Sequence, residues 1–249
     1  MIFQQQQDQV AALKDFSKAI DLGYESGSVY YYRGNARFFL GDTAGAIEDY
    51  QGALRLEPNH TETLVNLGNA YGSLGDETAA IANYSKAITI DPTVAAAYLN
   101  RCLSRTNTGD APGAVEDCTE AIKLRPAHSL AYENRGLAQW RLGDLAGAIQ
   151  DFNIALAINP TSADAYYNRG LIRYELGDYQ GAIMDFDRAI ELNPNHPFAY
   201  YDRGSIHERQ GQNQSAISDF TNASRICLEL ARLGCHQDAQ YRLKTLNQL

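Results

Sequence analysis

Apolar and polar residues along the chain follow the period of an amphipathic helix, and this pattern itself recurs every 34 residues. In the copy at residues 165–194, Tyr166 and Gly170 lie on one helix face, four residues apart. Phe186 and Ala189 lie three residues apart on the face of a second helix. Steps of three and four residues are typical of one face of an α-helix, so each copy predicts two helices.

A Leu-Gly-Asp turn separates the two predicted helices, at residues 176–178 in this copy. Glycine can take the left-handed conformation that ends a helix, and aspartate can cap the next one. Asn193 precedes Pro194, and proline disfavours helix in the residue before it, so the second helix ends there. Because a single helical hairpin cannot bury its apolar face, neighbouring copies must stack.

Six copies follow one another without a gap from Gly27 to Leu230. Positions within a repeat are numbered here from its first residue, and the repeats begin at Gly27, Thr61, Ala95, Ser129, Ala163 and Pro197. The turn glycine keeps its place in every copy, as Gly41, Gly75, Gly109, Gly143, Gly177 and Gly211. Such a period indicates a repeat protein.

The repeat resembles that of the tetratricopeptide (TPR) family, in gap-free copies similar to those of bacterial and especially cyanobacterial proteins. The second copy supplies most of the family pattern, as Leu67, Gly68, Tyr71, Ala80, Tyr84, Ala87 and Pro92. It departs from that pattern at Leu64, where the other copies have tyrosine. The resemblance implies an all-α, right-handed superhelical solenoid of antiparallel helix pairs with a continuous concave groove.

The two ends of the chain extend this single predicted domain. Residues 1–26 match part of a repeat: residues 8–24 align with a second helix, and residues 2–7 with the end of a first helix. A chain that begins inside a repeat suggests a piece of a longer protein or a processed precursor. At the other end, the last repeat helix is expected to run to Leu233, and residues 231–249 to form a capping helix with a polar outer face.

Composition narrows the function classes. The net charge of −9 argues against a nucleic-acid partner, because such binders need a positive surface. No apolar run reaches the roughly 20 residues of a membrane-spanning helix, and the first residues lack the features of a signal peptide. A soluble protein is expected, with the cytoplasm favoured and export left open if the N-terminus is processed.

Asparagine recurs at position six in four consecutive repeats, as Asn66, Asn100, Asn134 and Asn168. By resemblance to the family this position lines the concave groove, and the pattern is similar to the asparagine ladder of the O-linked N-acetylglucosamine transferases. An amide can both donate and accept, which suits the backbone of an extended peptide. The alternative interpretation is that asparagine is simply common at this position in generic repeats.

Aromatic residues share the predicted groove: Tyr31, Phe38, Phe39, Trp140, Tyr167, Tyr174, Phe198 and Tyr201. An exposed aromatic row is typical of a binding surface, although some of these rings will pack against the next helix. The carboxylate clamp of chaperone-binding members of the family is excluded. That clamp needs lysines at positions two and five, and this chain has lysine at neither position.

Arginine at position seven and aspartate at position 23 occur together in five repeats, whereas the remaining repeat has Leu67 and Asn83. This covariation predicts structural ion pairs between the two helices of a repeat. His60, His128 and His196 are expected to be solvated loop residues, too far apart to share a metal ion. Cys102 and Cys118 replace a small and a large packing residue, so we expect adjacent free thiols, with a disulfide as the alternative.

No catalytic motif, phosphate-binding loop or metal-ligand pattern stands out, so no enzyme activity and no cofactor are predicted. The leading hypothesis is a scaffold that binds a peptide segment or partner subunit in the groove. A second hypothesis makes the chain the substrate-recruiting or regulatory part of a larger enzyme. Self-association is a third.

Overall fold

A computed structural model of the protein describes residues 2–246, and these residues form fourteen α-helices and no strand. The first unit, up to Ala127, contains α1 (Ile2–Asp21), α2 (Gly27–Phe39), α3 (Thr43–Leu56), α4 (Thr61–Ser73), α5 (Glu77–Ile90), α6 (Ala95–Thr108) and α7 (Ala111–Leu124). The second unit, from His128, contains α8 (Ser129–Arg141), α9 (Leu145–Ile158), α10 (Ala163–Glu175), α11 (Tyr179–Leu192), α12 (Pro197–Arg209), α13 (Asn213–Glu229) and α14 (Leu233–Leu246). Helices α2 to α13 pair two by two at the predicted period, each pair within one unit, which confirms an all-α fold of repeated helix pairs.

The turn inside each repeat is built as predicted. Its glycine has φ between 72° and 88° in all six repeats, the left-handed region that other residues rarely adopt. In five repeats the aspartate that follows accepts a hydrogen bond from the backbone amide three residues on, as Asp178 does from Gly181 at 2.9 Å. This bond satisfies one of the free amides at the start of the second helix.

The ends differ from expectation in two places. The predicted break after Gln7 is wrong, because α1 is one continuous helix. Gln7 stands where the other repeats have the turn glycine, so the left-handed residue that ends a first helix is missing. Helix α13 ends at Glu229 and not at Leu233, since Ala231 adopts a positive φ of 55°. The expected capping helix is α14, and residues 247–249 lie outside the described part of the chain.

In five of the six repeats the core depends on a glycine at position eight that faces an aromatic ring at position 24. A Cβ on Gly170 would lie 2.7 Å from the ring of Phe186, so only glycine fits. In the third repeat Cys102 and Cys118 take these two places, both fully buried, with Cα atoms 5.5 Å apart. They form a disulfide, so the expectation of free thiols is wrong: the two positions face each other at the separation that a disulfide requires.

The predicted arginine–aspartate contacts occur in all five repeats. The pairs are Arg33–Asp49, Arg101–Asp117, Arg135–Asp151, Arg169–Asp185 and Arg203–Asp219. Each guanidinium also lies 5.5–5.9 Å from the ring centre of the tyrosine at position four of the same helix. Each buried aspartate therefore meets a cation that is itself held by an aromatic face.

Candidate functional site

The four asparagines at position six have two different environments. In the first unit, Asn66 donates to Asn35 Oδ1 at 2.9 Å, and this oxygen also accepts from the hydroxyl of Tyr50 at 2.8 Å. Asn100 donates to Asn69 Oδ1 at 2.7 Å, and that oxygen accepts from the tyrosine at position 24 of its own repeat. The side-chain amides of Asn66 and Asn100 are therefore each engaged as a donor within the fold.

Asn134 and Asn168, in the second unit, make no side-chain hydrogen bond to any other described residue. The asparagine that accepts the bond in the first unit stands at position nine of the preceding repeat, and the residue at that position is Leu103 before Asn134 and Leu137 before Asn168. A leucine side chain has no acceptor, so the same amide network cannot form at Asn134 and Asn168. Both asparagines are half-buried, and they line one pocket of about 640 Å³, called here the Asn134–Asn168 pocket.

Helices α8 and α10, the start of α12 with the turn before it, and the turn after α13 form the Asn134–Asn168 pocket. Its apolar rim is exposed: Leu130 is 52% exposed, Phe198 39% and Leu230 49%. Leu137 and Tyr167 contribute further apolar surface to the lining. The pocket thus combines unpaired amides with apolar side chains that remain open to solvent.

Two acidic residues and one basic residue line the same pocket. Glu133 on α8 is only 7% exposed, and its Oε2 accepts from the Ser162 hydroxyl at 3.2 Å. Burial raises the pKa of Glu133; the Ser162 bond lowers it, and exposed Asp164 raises it further. Arg232 is exposed, and its guanidinium lies 5.4 Å from the ring centre of Phe198.

Sequence reasoning did not identify Glu133, Asp164 or Arg232 as candidate site residues. Glu133 could have been recognised from the sequence as an unusual groove residue, because it is charged and stands at position five, where the other repeats have tyrosine, valine or leucine.

Six of the eight predicted aromatic residues are half-buried and pack partly against the fold, whereas Phe39 and Phe198 are exposed. Tyr167 donates its hydroxyl to Asp202 at 2.9 Å, and burial raises the pKa of Asp202 to about 6 despite this bond. Trp140 donates to Glu175 Oε2 at 2.7 Å. Four further rings pack against buried core residues. They are Tyr31 and Phe38, which share one core cluster, and Tyr174 and Tyr201, which lie at two others. Of the predicted rings, Tyr167 and Phe198 line the Asn134–Asn168 pocket.

The prediction that the three loop histidines are solvated is wrong. His60 and His196 cap helices α4 and α12, because the ring Nδ1 of each accepts from the backbone amide three residues on. His196 is buried beside Tyr167, with ring centres 4.5 Å apart, and burial lowers its pKa. His128 is half-buried at the start of α8. These side chains leave solvent because each stands at the first turn of a packed helix.

Residues 2–246 contain no group of three or more His, Cys, Asp or Glu side chains that could hold a metal ion. Within that part of the chain, every helix is too short or too polar to cross a membrane.

Three family models match the chain. One described as tetratricopeptide repeat matches residues 61–94 and 163–196, one described as TPR repeat matches 34–75 and 141–177, and another described as tetratricopeptide repeat matches 186–218. Together they match more than half of the 249 residues. A search of curated proteins finds no match.

Solved structures share the fold. MamA is 29% identical, with a TM-score of 0.60 over 65% of this chain and 94% of MamA. YrrB, a TPR protein with an unusual peptide-binding site, is 19% identical, with a TM-score of 0.61 over 80% of this chain and 99% of YrrB. A tetratricopeptide repeat protein from Parabacteroides merdae is 22% identical, with a TM-score of 0.67 over 89% of this chain and 92% of the other. The chain belongs to the tetratricopeptide-repeat family.

Proposed function

We propose that the chain binds an extended peptide segment of a partner protein in the Asn134–Asn168 pocket and catalyses no reaction. The observation that carries this proposal is the pair of unpaired amides at the same position of successive repeats, facing one open pocket. An asparagine can donate to a peptide carbonyl and accept from a peptide amide at the same time. Two such residues can therefore hold a main chain whatever its side chains are.

The apolar rim supports a peptide ligand. Leu130, Phe198 and Leu230 are each more than a third exposed around the pocket. A bound segment would cover them with its own apolar side chains, and this burial would add affinity. TPR domains are typically non-catalytic protein-interaction modules. YrrB shares the fold and is a TPR protein with a peptide-binding site, which adds a precedent for this ligand class.

The first unit offers less to a peptide backbone. The side-chain amide of each of Asn66 and Asn100 already donates to a neighbouring asparagine, so these two residues are held within the fold and have fewer free donors for a ligand. We therefore expect the second unit to contribute most of the main-chain recognition. The two pairs of asparagines provide a matched comparison within one molecule.

The test begins with a random peptide library displayed on phage and selected on the whole protein. The affinity of an enriched peptide is then measured for the double variant Asn134→Ala, Asn168→Ala. Each lost hydrogen bond contributes roughly 0.5–1.5 kcal/mol, so affinity should fall roughly 5- to 150-fold. The control Asn66→Ala, Asn100→Ala should bind within about twofold of the wild type. Enrichment of no peptide, or equal affinity for both double variants, would contradict the proposal.

A further inference from the structure

Glu133 differs from the other residues of the Asn134–Asn168 pocket, because it is a buried acid and one of its two carboxylate oxygens accepts no hydrogen bond from a described residue. Its Oε1 is inaccessible to water and has no hydrogen-bond partner among the described residues. Its Oε2 accepts a single bond, from the Ser162 hydroxyl. A buried carboxylate with so few partners is costly, and a ligand that supplied a donor would relieve the cost.

The surroundings of Glu133 are acidic. Asp164 stands at the same pocket, and its negative charge further raises the pKa of Glu133 after the larger effect of burial. His196, the remaining ionisable group close to Asp164, is kept neutral by burial, which lowers its pKa. The pocket's arginine, Arg232, is exposed and lies over the ring of Phe198, and its charge also helps to lower the pKa of His196. Neither Glu133 nor Asp164 forms a salt bridge with a lysine or arginine among the described residues, so this acidic wall has no direct counter-charge.

We infer that the wall formed by Glu133 and Asp164 receives a lysine or arginine side chain of the bound peptide. The inference rests on the proposed function, since it names a residue of the peptide held by Asn134 and Asn168. The cationic group would donate to Glu133 Oε1 and offset the charge of both acids. Its aliphatic stem would lie along apolar lining such as Leu130 and Leu137, as long basic side chains commonly do.

A neutral donor accounts for the site less completely. A peptide amide could donate to Glu133 Oε1, but it would leave the buried negative charge beside Asp164 without a counter-charge. Recognition by a neutral donor and recognition by a cation differ in one measurable respect, which is the dependence of affinity on the charge of a peptide side chain.

The experiment uses peptides enriched from the phage library and their variants in which each lysine or arginine is replaced by norleucine. Norleucine keeps the aliphatic stem and removes the charge. For the wild-type protein, one such replacement should weaken binding roughly 10- to 100-fold, as expected for a largely buried charge pair. In Glu133→Gln the same replacement should have less than about threefold effect.

Two further variants keep the test independent of folding defects. Asp164→Asn changes an exposed side chain and should also reduce the norleucine effect, though less than Glu133→Gln does. Glu191→Gln removes the same charge outside the pocket and should leave the effect unchanged.

The outcomes separate this inference from the proposed function. Enriched peptides without a recurrent basic residue, or a norleucine effect as large in Glu133→Gln as in the wild type, would overturn the inference and leave the peptide site standing. If the library yields no binding peptide, both the proposed function and the basic-residue inference fail.

Discussion

Arg135 and Asp151 are joined by two parallel hydrogen bonds of 2.7 Å, from Nε to Oδ2 and from Nη2 to Oδ1. The aspartate side chain is only 3% exposed, and the guanidinium lies 5.7 Å from the ring centre of Tyr132. Because the same three residue types meet in five repeats, the arrangement is part of the fold and not a feature of one site.

Asp151→Ala should lower the free energy of unfolding by on the order of 3 kcal/mol, because it removes the carboxylate that offsets the buried charge of Arg135. The double variant Arg135→Leu, Asp151→Asn copies the natural pair Leu67 and Asn83 and should cost far less. Urea unfolding of the two single variants and the double variant measures the coupling. If the double variant lost as much stability as the two single variants added together, the ion pair would not be the stabilising contact.

The tyrosine–asparagine hydrogen bonds of the first unit should stabilise the folded protein. Asn35→Leu removes the acceptor shared by Tyr50 and Asn66, and we expect a loss of about 1–3 kcal/mol because two donors lose their partner. Adding Tyr50→Phe restores the leucine–phenylalanine combination found at Leu137 and Phe152, so part of this loss should be recovered. Thermal unfolding compares the three proteins. A further loss on adding Tyr50→Phe would show that the hydroxyl acts elsewhere.

Asp202 should make stability fall as pH rises. Burial raises its pKa from 3.8 to about 6, so the folded state favours the protonated acid. The stability that this group contributes is complete below pH 4 and is lost as pH rises through 6, on the order of 2 kcal/mol. Asp202→Asn still accepts from Tyr167 and has no charge to bury, so its unfolding free energy should fall less between pH 4 and pH 7.

Chemical denaturation of the wild type and Asp202→Asn at both pH values measures this difference, with the exposed Asp238→Asn as the control. Equal pH dependence in wild type and Asp202→Asn would show that the acid ionises in the folded protein without cost.

The cysteines should titrate as two disulfides. Denatured, unreduced protein should show no free thiol, and all four should appear after reduction, because Cys102 pairs with Cys118 and Cys227 with Cys235. The double variant Cys102→Gly, Cys118→Phe restores the pair used by Gly170 and Phe186, so it should fold without that disulfide. A count of four free thiols before reduction would contradict both disulfides and support the expectation of free thiols.

Repetition explains how much of the fold could be predicted from sequence. Six aligned copies show which positions change together, and this is how the contact between Arg135 and Asp151 could be expected without a structure. The turn glycines and capping aspartates were equally predictable, since each acts within its own turn.

The difference among the asparagines could not be predicted in this way. The partner of Asn66 is Asn35, at another position of the preceding repeat, and comparison at one position treats all four asparagines alike. His196 shows a related limit, because its loop position in the sequence hides its role as a buried helix cap.

Peptide binding by Asn134 and Asn168 is tested most directly by a nuclear magnetic resonance titration of the ¹⁵N-labelled protein with an enriched peptide, following the side-chain NH₂ signals of the four asparagines. Alanine variants assign each signal. We expect large shifts for Asn134 and Asn168, whose side chains have no hydrogen-bond partner in the described structure, and small ones for Asn66 and Asn100. Unshifted signals from Asn134 and Asn168 with a saturating peptide would contradict this expectation and place the partner elsewhere on the molecule.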